Sequence, residues 1–333
     1  MNNSGNIKLA IIIPAYKADF LRAALRSIAG QTEQGFQLYV GDDCSPAPIA
    51  EIVREFSGKL PIKYRRFDRN LGGVSLVRHW ERCIRMTCEP WIWIFSDDDF
   101  MGADCVAAFF EELERTGGTH DAYRFNSIWV NGENKPLPSN PPHPQNETGA
   151  DFLMARLRGG NASNMQELIF SRQAWETIGG IPDFPLAWAS DDAFIAKLGV
   201  RRPIRTIFGP VVNWRLSGLN ISGDQSDSAV SDKFKASRQF MEWATDFLES
   251  QPPADDKLHR RQLNRLTEDW FFNDLSHSWC FLNLKACWEI DRLAVRLWER
   301  RPGHGFLKAL QSNCVLAMSK IYGKCTGVKS DPA

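Results

Sequence analysis

WIWIFSDDD, residues 91–99, sets five apolar residues ahead of a serine and three consecutive aspartates. A run that is apolar on both faces has no side to turn to water, so 91–95 reads as a strand in the middle of a sheet. The acidic triplet Asp97-Asp98-Asp99 then falls at the carboxyl end of that strand. Working outward toward the N-terminus, 8–13 (KLAIII) is another buried, β-branched strand, ended by Pro14. Phe20, Leu21, Ala24, Leu25 and Ile28 follow at helical spacing, with Asp19 placed to cap the first turn. The spacing predicts a second strand over 36–40, a helix over 49–56, a third strand over 62–67 and a helix over 73–87. Strand and helix alternate to about residue 116, which predicts a right-handed, mostly parallel α/β sheet flanked by helices.

In such sheets ligands bind beyond the carboxyl ends of the strands. Three polar clusters occupy those ends: Pro14-Ala15-Tyr16, Asp42-Asp43-Cys44-Ser45 and Ser96 with the triplet. Beyond the triplet, 131–147 carries five prolines and reads as a loop. Thr148 is placed to cap a helix running to about Arg158, and 165–170 and 204–214 read as strands. After a polar stretch at 218–231 the pattern is helical to the end and rich in aromatics. The expected division is a catalytic domain over 6–222 and a helical region over 230–325.

Composition narrows the function classes. Lys+Arg and Asp+Glu are both 40, and this balance argues against a nucleic-acid binder, which needs surplus basic charge. No apolar run reaches the roughly 18 to 20 residues of a membrane span, and the polar start Met1-Asn2-Asn3-Ser4 does not read as a signal peptide. A cytoplasmic location is expected. The eight cysteines form no CxxC pair, so buried reduced thiols are expected.

Three adjacent carboxylates repel one another unless a cation or hydrogen-bond donors compensate. Their hard oxygens suit Mg²⁺ or Mn²⁺ with phosphate oxygens completing the shell. The plainer alternative is a solvated loop in which Asp97 or Asp98 caps the next helix. Asp191-Asp192 forms a second acidic pair at a helix start, suited to general-base work or, more plainly, to the helix dipole. Trp188, just before it, is a stacking platform for an acceptor sugar or else a core residue.

These segments together resemble the GT-A-fold, inverting family 2 glycosyltransferases of bacterial surface-polysaccharide synthesis. The resemblance runs through Ile11 to Tyr16, Ser27-Ile28, Gln31, Asp42 to Ser45, Arg69 to Gly73 with Arg78, Ile94 to Asp99, and Gly179-Gly180 before Asp191-Asp192. It covers about residues 7–222 in order. It implies that Pro14, Ala15 and Tyr16 with Asp42 and Asp43 hold a nucleotide base, and that one aspartate takes a uracil imide N–H. It implies that Asn70, Gly72 and Gly73 allow close backbone approach to the nucleotide, and that Arg78 lies near base or phosphate. Asp97 would reach the ribose and Asp99 a Mn²⁺ or Mg²⁺ ion, or Asp98 would take the metal with the register offset by one. Asp191 or Asp192 would be the catalytic base. The implied partners are a UDP-sugar donor and a glycan or lipid-linked saccharide acceptor.

Two positions depart from the family pattern. Residues 214–222 lack the histidine that often joins the metal shell, which implies either weaker metal affinity or Arg215 supporting the phosphates instead. Lys17 stands where the family usually has asparagine. A nucleotidyltransferase on the same fold would open with a Gly-rich basic loop, which Pro14-Ala15-Tyr16-Lys17 is not. The third reading is a non-catalytic sugar-nucleotide-binding subunit. From Arg296 onward seven Lys/Arg stand against two acids, and 306–322 is amphipathic, so the tail suits either peripheral contact with an anionic inner membrane or a homodimer.

Overall fold

Strand β1 (Leu9–Ala15) is built from the β-branched run, and all but one of its residues are buried. In the computed structural model, which describes residues 8–160, 163–224, 226–251, 257–278 and 284–311, β1 lies between two parallel neighbours. Helix α1 (Leu21–Ala29) leads to β2 (Phe36–Asp42), and α2 (Ile49–Arg54) to β3 (Ile62–Arg66). Helix α3 (Leu76–Ile84) leads to β4 (Trp91–Ile94), and all four strands pair in parallel in the order β3-β2-β1-β4. Helix α1 is capped differently from expectation. Its N-cap is Phe20, whose carbonyl accepts the amides of Ala23 and Ala24, and no side chain, Asp19 included, caps the turn.

Beyond β4 the sheet becomes mixed. The chain makes a short β5 (Phe100–Met101), α4 (Cys105–Arg115), the long β6 (Ala122–Asn131), and β7 (Asn146–Glu147). It continues through α5 (Gly149–Leu157), β8 (Leu168–Ser171), α6 (Arg172–Thr177), α7 (Ser190–Leu198) and β9 (Ile204–Leu216). Strand β8 inserts antiparallel between β4 and β6, β6 runs parallel to β9, and β5 closes the order antiparallel on β9. The parallel half matches the expected alternation. The mixed half rests on β6, a strand the sequence reading did not find.

The core lies around Ile11, Ile13, Leu38, Trp93, Phe95, Phe109 and Phe125, with Trp93 and Phe125 stacked at 5.3 Å. Thr148 caps α5 as expected: its hydroxyl accepts the Asp151 amide and donates to the Asp151 carboxylate. Gly149 is required there, because a Cβ would lie 1.8 Å from the Ala196 carbonyl oxygen of α7. The stretch 165–167 is a single 3-10 turn rather than strand.

The chain divides into two compact units, one within Met1–Arg156 and Gly160–Gly223, the other within Leu157–Gly159 and Asp224–Ala333. The second is helical: α8 (Asp227–Glu249), α9 (Lys257–Ser278) and α10 (Leu284–Leu297). Its aromatics meet one another, as at Phe240–Trp270 and Phe271–Trp298. The Trp298 indole N–H, buried, donates to Thr267. Among the described residues no helix is long and apolar enough to cross a membrane. Cys83, Cys105 and Cys287 are buried and free, while Cys44 is partly exposed and Cys88 exposed. Met1 to Asn6, Trp279, Cys280, Phe281, Cys314, Cys325 and the 312–322 part of the amphipathic stretch lie outside the described residues.

Candidate active site

The three strand-end clusters are wired to one another. Asp97 Oδ2 accepts the backbone amides of Tyr16 at 2.9 Å and Lys17 at 2.7 Å. Ser45 closes the other side: its amide donates to Asp42 Oδ1 and its hydroxyl to the Tyr16 carbonyl. The loop after β1 is therefore clamped between the turn after β2 and the triplet after β4. Tyr16 keeps 42% of its surface exposed, so its ring is free to pack on a ligand.

All three aspartates of the triplet are buried. Lys17 Nζ bonds Asp98 Oδ2 and lies 3.8 Å from Asp97 Oδ1, and Asp98 Oδ1 accepts the Ser96 hydroxyl. Asp99 Oδ1 accepts the Arg215 amide at 2.7 Å. Its other oxygen has neither a hydrogen bond nor an ion pair among the described residues, whereas every oxygen of Asp97 and Asp98 has at least one of the two. Burial pushes the Asp97 carboxyl up to about 6 against the pull of Lys17. Burial and the neighbouring Asp98 push Asp99 well above the ordinary carboxyl range. Burial pulls the Lys17 ammonium down, but Asp97 and Asp98 outweigh it and the net shift is upward.

Even with Lys17 in place, then, the cluster lacks positive charge. A divalent cation fits that deficit, with Asp99 presenting the open oxygen. No three His, Cys, Asp or Glu side chains among the described residues converge as a complete metal cage. Mg²⁺-type sites need only one or two carboxylates beside substrate phosphates, so the donor set remains suitable.

Arg215 is placed differently from the phosphate-supporting role expected of it. It is 1% exposed, and its Nε donates to the Asp98 carbonyl at 2.7 Å. Its Nη1 reaches Asn134 Oδ1, and its guanidinium lies over the rings of Phe20 and Phe100. In this arrangement it braces the backbone of the triplet from behind. A guanidinium with its donors taken inside the fold is not presented to a ligand.

Asp42 and Asp43 are both buried and heavily bonded. Asp42 Oδ2 accepts the Tyr64 hydroxyl at 2.6 Å and Arg66 Nη1 at 2.7 Å. Asp43 accepts the amides of Leu71 and Gly72 and also pairs with Arg82. A Cβ at residue 72 would lie 2.5 Å from Asp43 Oδ2, so the close approach that requires glycine here is to that carboxylate. Asn70 Oδ1 accepts the Gly73 amide, which folds the same loop. Arg78 stands 67% exposed at the start of α3, 3.4 Å from Asp183, and Ser75 caps that helix while donating to Asp183.

The acidic pair opens α7, as expected. Arg156 of α5 grips Asp192 through Nε at 3.1 and 3.3 Å, and Asp191 Oδ1 accepts the Asp192 amide. Burial and the charge of Asp192 push the Asp191 carboxyl up to about 8. Trp188 is half-buried just before the pair. Around it Leu186, Ala187 and Ala189 all have positive φ, at 59°, 55° and 61°. Non-glycine residues held left-handed cost about 1–3 kcal/mol each and cluster at functional sites. Leucine and alanine carry no sequence signal for that conformation, so the strained approach to the acids was invisible beforehand.

Residues 10–168 match the family model described as glycosyl transferase family 2. Over 112 residues, 32% of this chain and 19% of the other, the sequence is 26% identical to the poly(ribitol-phosphate) beta-N-acetylglucosaminyltransferase TarS of Staphylococcus aureus. Over 193 residues, 57% of this chain and 61% of the other, it is 26% identical to an uncharacterized glycosyltransferase of Haemophilus influenzae. The chain thus matches about a fifth of the length of the first relative and about three fifths of the second. The crystal structure of S. aureus TarS 1–349 in complex with UDP-GlcNAc superposes with a TM-score of 0.60 at 14% identity, covering 95% of this chain and 92% of that one. The crystal structure of S. aureus TarS gives 0.54 at 12% identity, covering 94% and 55%. At such identities the likeness is one of fold.

Proposed function

We propose, from the premise that this chain belongs to glycosyl transferase family 2, that it moves one sugar from a UDP-sugar to a glycan or lipid-linked acceptor with inversion, in the synthesis of a cell-surface polymer. The observation that carries the proposal is the direct bonding of Asp97 to the Tyr16-Lys17 loop, some 80 residues away. It brings the residues suited to base, ribose and diphosphate into one cluster at the strand ends. The S. aureus TarS structures with UDP-GlcNAc and with UDP make UDP-GlcNAc the first donor to test.

Tyr16 would stack on the uracil, and Asp97 and Asp98 would lie toward the ribose. Asp99, with Asp97 or Asp98, would hold a Mn²⁺ or Mg²⁺ ion, which when bound neutralises the leaving diphosphate. Transfer needs a carboxylate that takes the acceptor hydroxyl proton as that oxygen bonds to the anomeric carbon and the bond from that carbon to the diphosphate breaks, releasing UDP. A base must be ionised at working pH. With its carboxyl at about 8, Asp191 is mainly protonated at neutral pH, whereas the Arg156 guanidinium compensates the charge of Asp192. Asp192 is therefore the proposed base, and Asp191 its positioning neighbour. The proposed place of action is the cytoplasmic face of the inner membrane, toward which the basic tail would turn.

The test is UDP release across a panel of UDP-sugars, with and without Mn²⁺. Asp192→Asn is expected to lower kcat by at least about 10²-fold, and Asp191→Asn by much less. The reverse order would make Asp191 the base. Asp99→Ala is expected to remove the Mn²⁺ dependence. No turnover or binding of any nucleotide-sugar would overturn the proposal.

A further inference from the structure

Outside the candidate active site, the helical unit holds a cavity of about 300 Å³ between α8 and α10, lined by Arg238, Glu289, Arg292, Leu293 and Arg296. Three guanidiniums face one carboxylate there. Arg296 also reaches Glu242, whereas Arg238 and Arg292 have no ion pair among the described residues. The Arg238 Nε is buried and has no hydrogen-bond partner among the described residues. A buried guanidinium N–H left unmatched is costly, and native structures rarely keep one without a ligand or water to satisfy it.

We propose that this cavity binds the phosphate group of a phosphate ester. The chemistry selects that class. A carboxylate presents its two oxygens in one plane, which one bidentate arginine matches, whereas a phosphate group presents oxygens in several directions. Three arginines from two helices line the cavity, donors enough for more than two oxygens, and Glu289 adds one negative charge that the ligand must tolerate. The recessed Arg238 Nε favours a discrete ester that enters the cavity over the flat headgroup plane of a bilayer, which the outward charges of Arg292 and Arg296 alone would meet.

Titration calorimetry of the full chain with inorganic phosphate and with sn-glycerol 3-phosphate, without nucleotide, tests this. The Arg238→Gln/Arg292→Gln double variant is expected to bind both probes at least about tenfold more weakly, the loss of one to two charged hydrogen bonds. UDP release from the donor should be unchanged in the same variant, which separates failure of this proposal from failure of the glycosyltransferase reading. Equal binding by the parent chain and the variant would overturn the proposal. So would a variant that loses only flotation with phosphatidylglycerol vesicles, which would assign these arginines to a lipid surface.

Discussion

Lys17 puts an ammonium where the triplet would receive a metal ion, bonded to Asp98 and near Asp97. The two cations compete for the same carboxylates, so Lys17→Met should tighten Mn²⁺ binding by the chain without nucleotide. The expected gain is roughly tenfold, between the about 1 kcal/mol of a water-screened unit pair at 4 Å and the about 4 kcal/mol of one near a protein surface. Electron paramagnetic resonance of free Mn²⁺ measures it, and an unchanged affinity would show that the ammonium does not compete. Asp191 yields a prediction of stability against pH. A carboxyl whose pKa is raised on folding favours the fold only while protonated. That contribution is complete below the ordinary value of 3.8 and is lost as pH rises through about 8. Asp191→Asn, neutral throughout, should therefore melt higher than the parent chain at pH 9 and no higher near pH 4. Equal melting temperatures at pH 9 would contradict the assigned shift. None of these pairings was legible beforehand: sequence order placed the acids at strand ends, but which amide or ammonium meets which carboxylate is decided by tertiary contact.

Strand β6 shows why one half of the sheet was legible and the other was not. Strands β1, β2 and β4 announce themselves as apolar runs, because parallel strands buried on both faces can tolerate little else. Strand β6 reads AYRFNSIWVN, where Arg124, Asn126 and Ser127 break every apolar period, yet Arg124 is fully buried. What permits this is Glu147 of β7, 2.7 Å from Arg124 Nη2, a partner 23 residues away across the proline-rich loop. Burial pulls the Arg124 guanidinium below its ordinary range against the pull of Glu147, and its Nε and Nη1 find no partner among the described residues. Removing the only carboxylate bonded to it among the described residues leaves a buried charge that the unbonded Glu167 offsets only in part. Glu147→Ala should cost about 3–5 kcal/mol in urea unfolding, far more than a surface pair. A loss under about 1 kcal/mol would mean that Arg124 is neutralised some other way. The helices α8 to α10 were the opposite case, since aromatics at helical spacing with few interruptions reveal a packed face directly.

At the scale of the whole molecule the charge balance bears on how a donor is held. With 40 basic and 40 acidic residues the chain carries no net charge to draw in a nucleoside diphosphate. The proposed pocket is more acidic still, because the triplet adds three carboxylates and Lys17 answers only part of their charge. Arg215, which sequence reading assigned to the phosphates, is committed behind the triplet. A diphosphate entering this cluster meets repulsion that Lys17 alone does not offset, so UDP binding should depend strongly on a divalent cation. Ligand that binds only the folded chain raises stability by about 2.7 kcal/mol at a hundredfold excess over Kd. For a unit of 150–250 residues that corresponds to roughly 5–10 °C in Tm. UDP with Mn²⁺ should therefore raise the melting temperature by about that amount, UDP with EDTA by much less, and Asp99→Ala should abolish the difference between them. If UDP stabilised the chain equally with and without metal, the positive charge on the diphosphate would have to come from the protein itself. Lys17 would then be the group to supply it, and Lys17→Met would weaken UDP binding rather than tighten Mn²⁺.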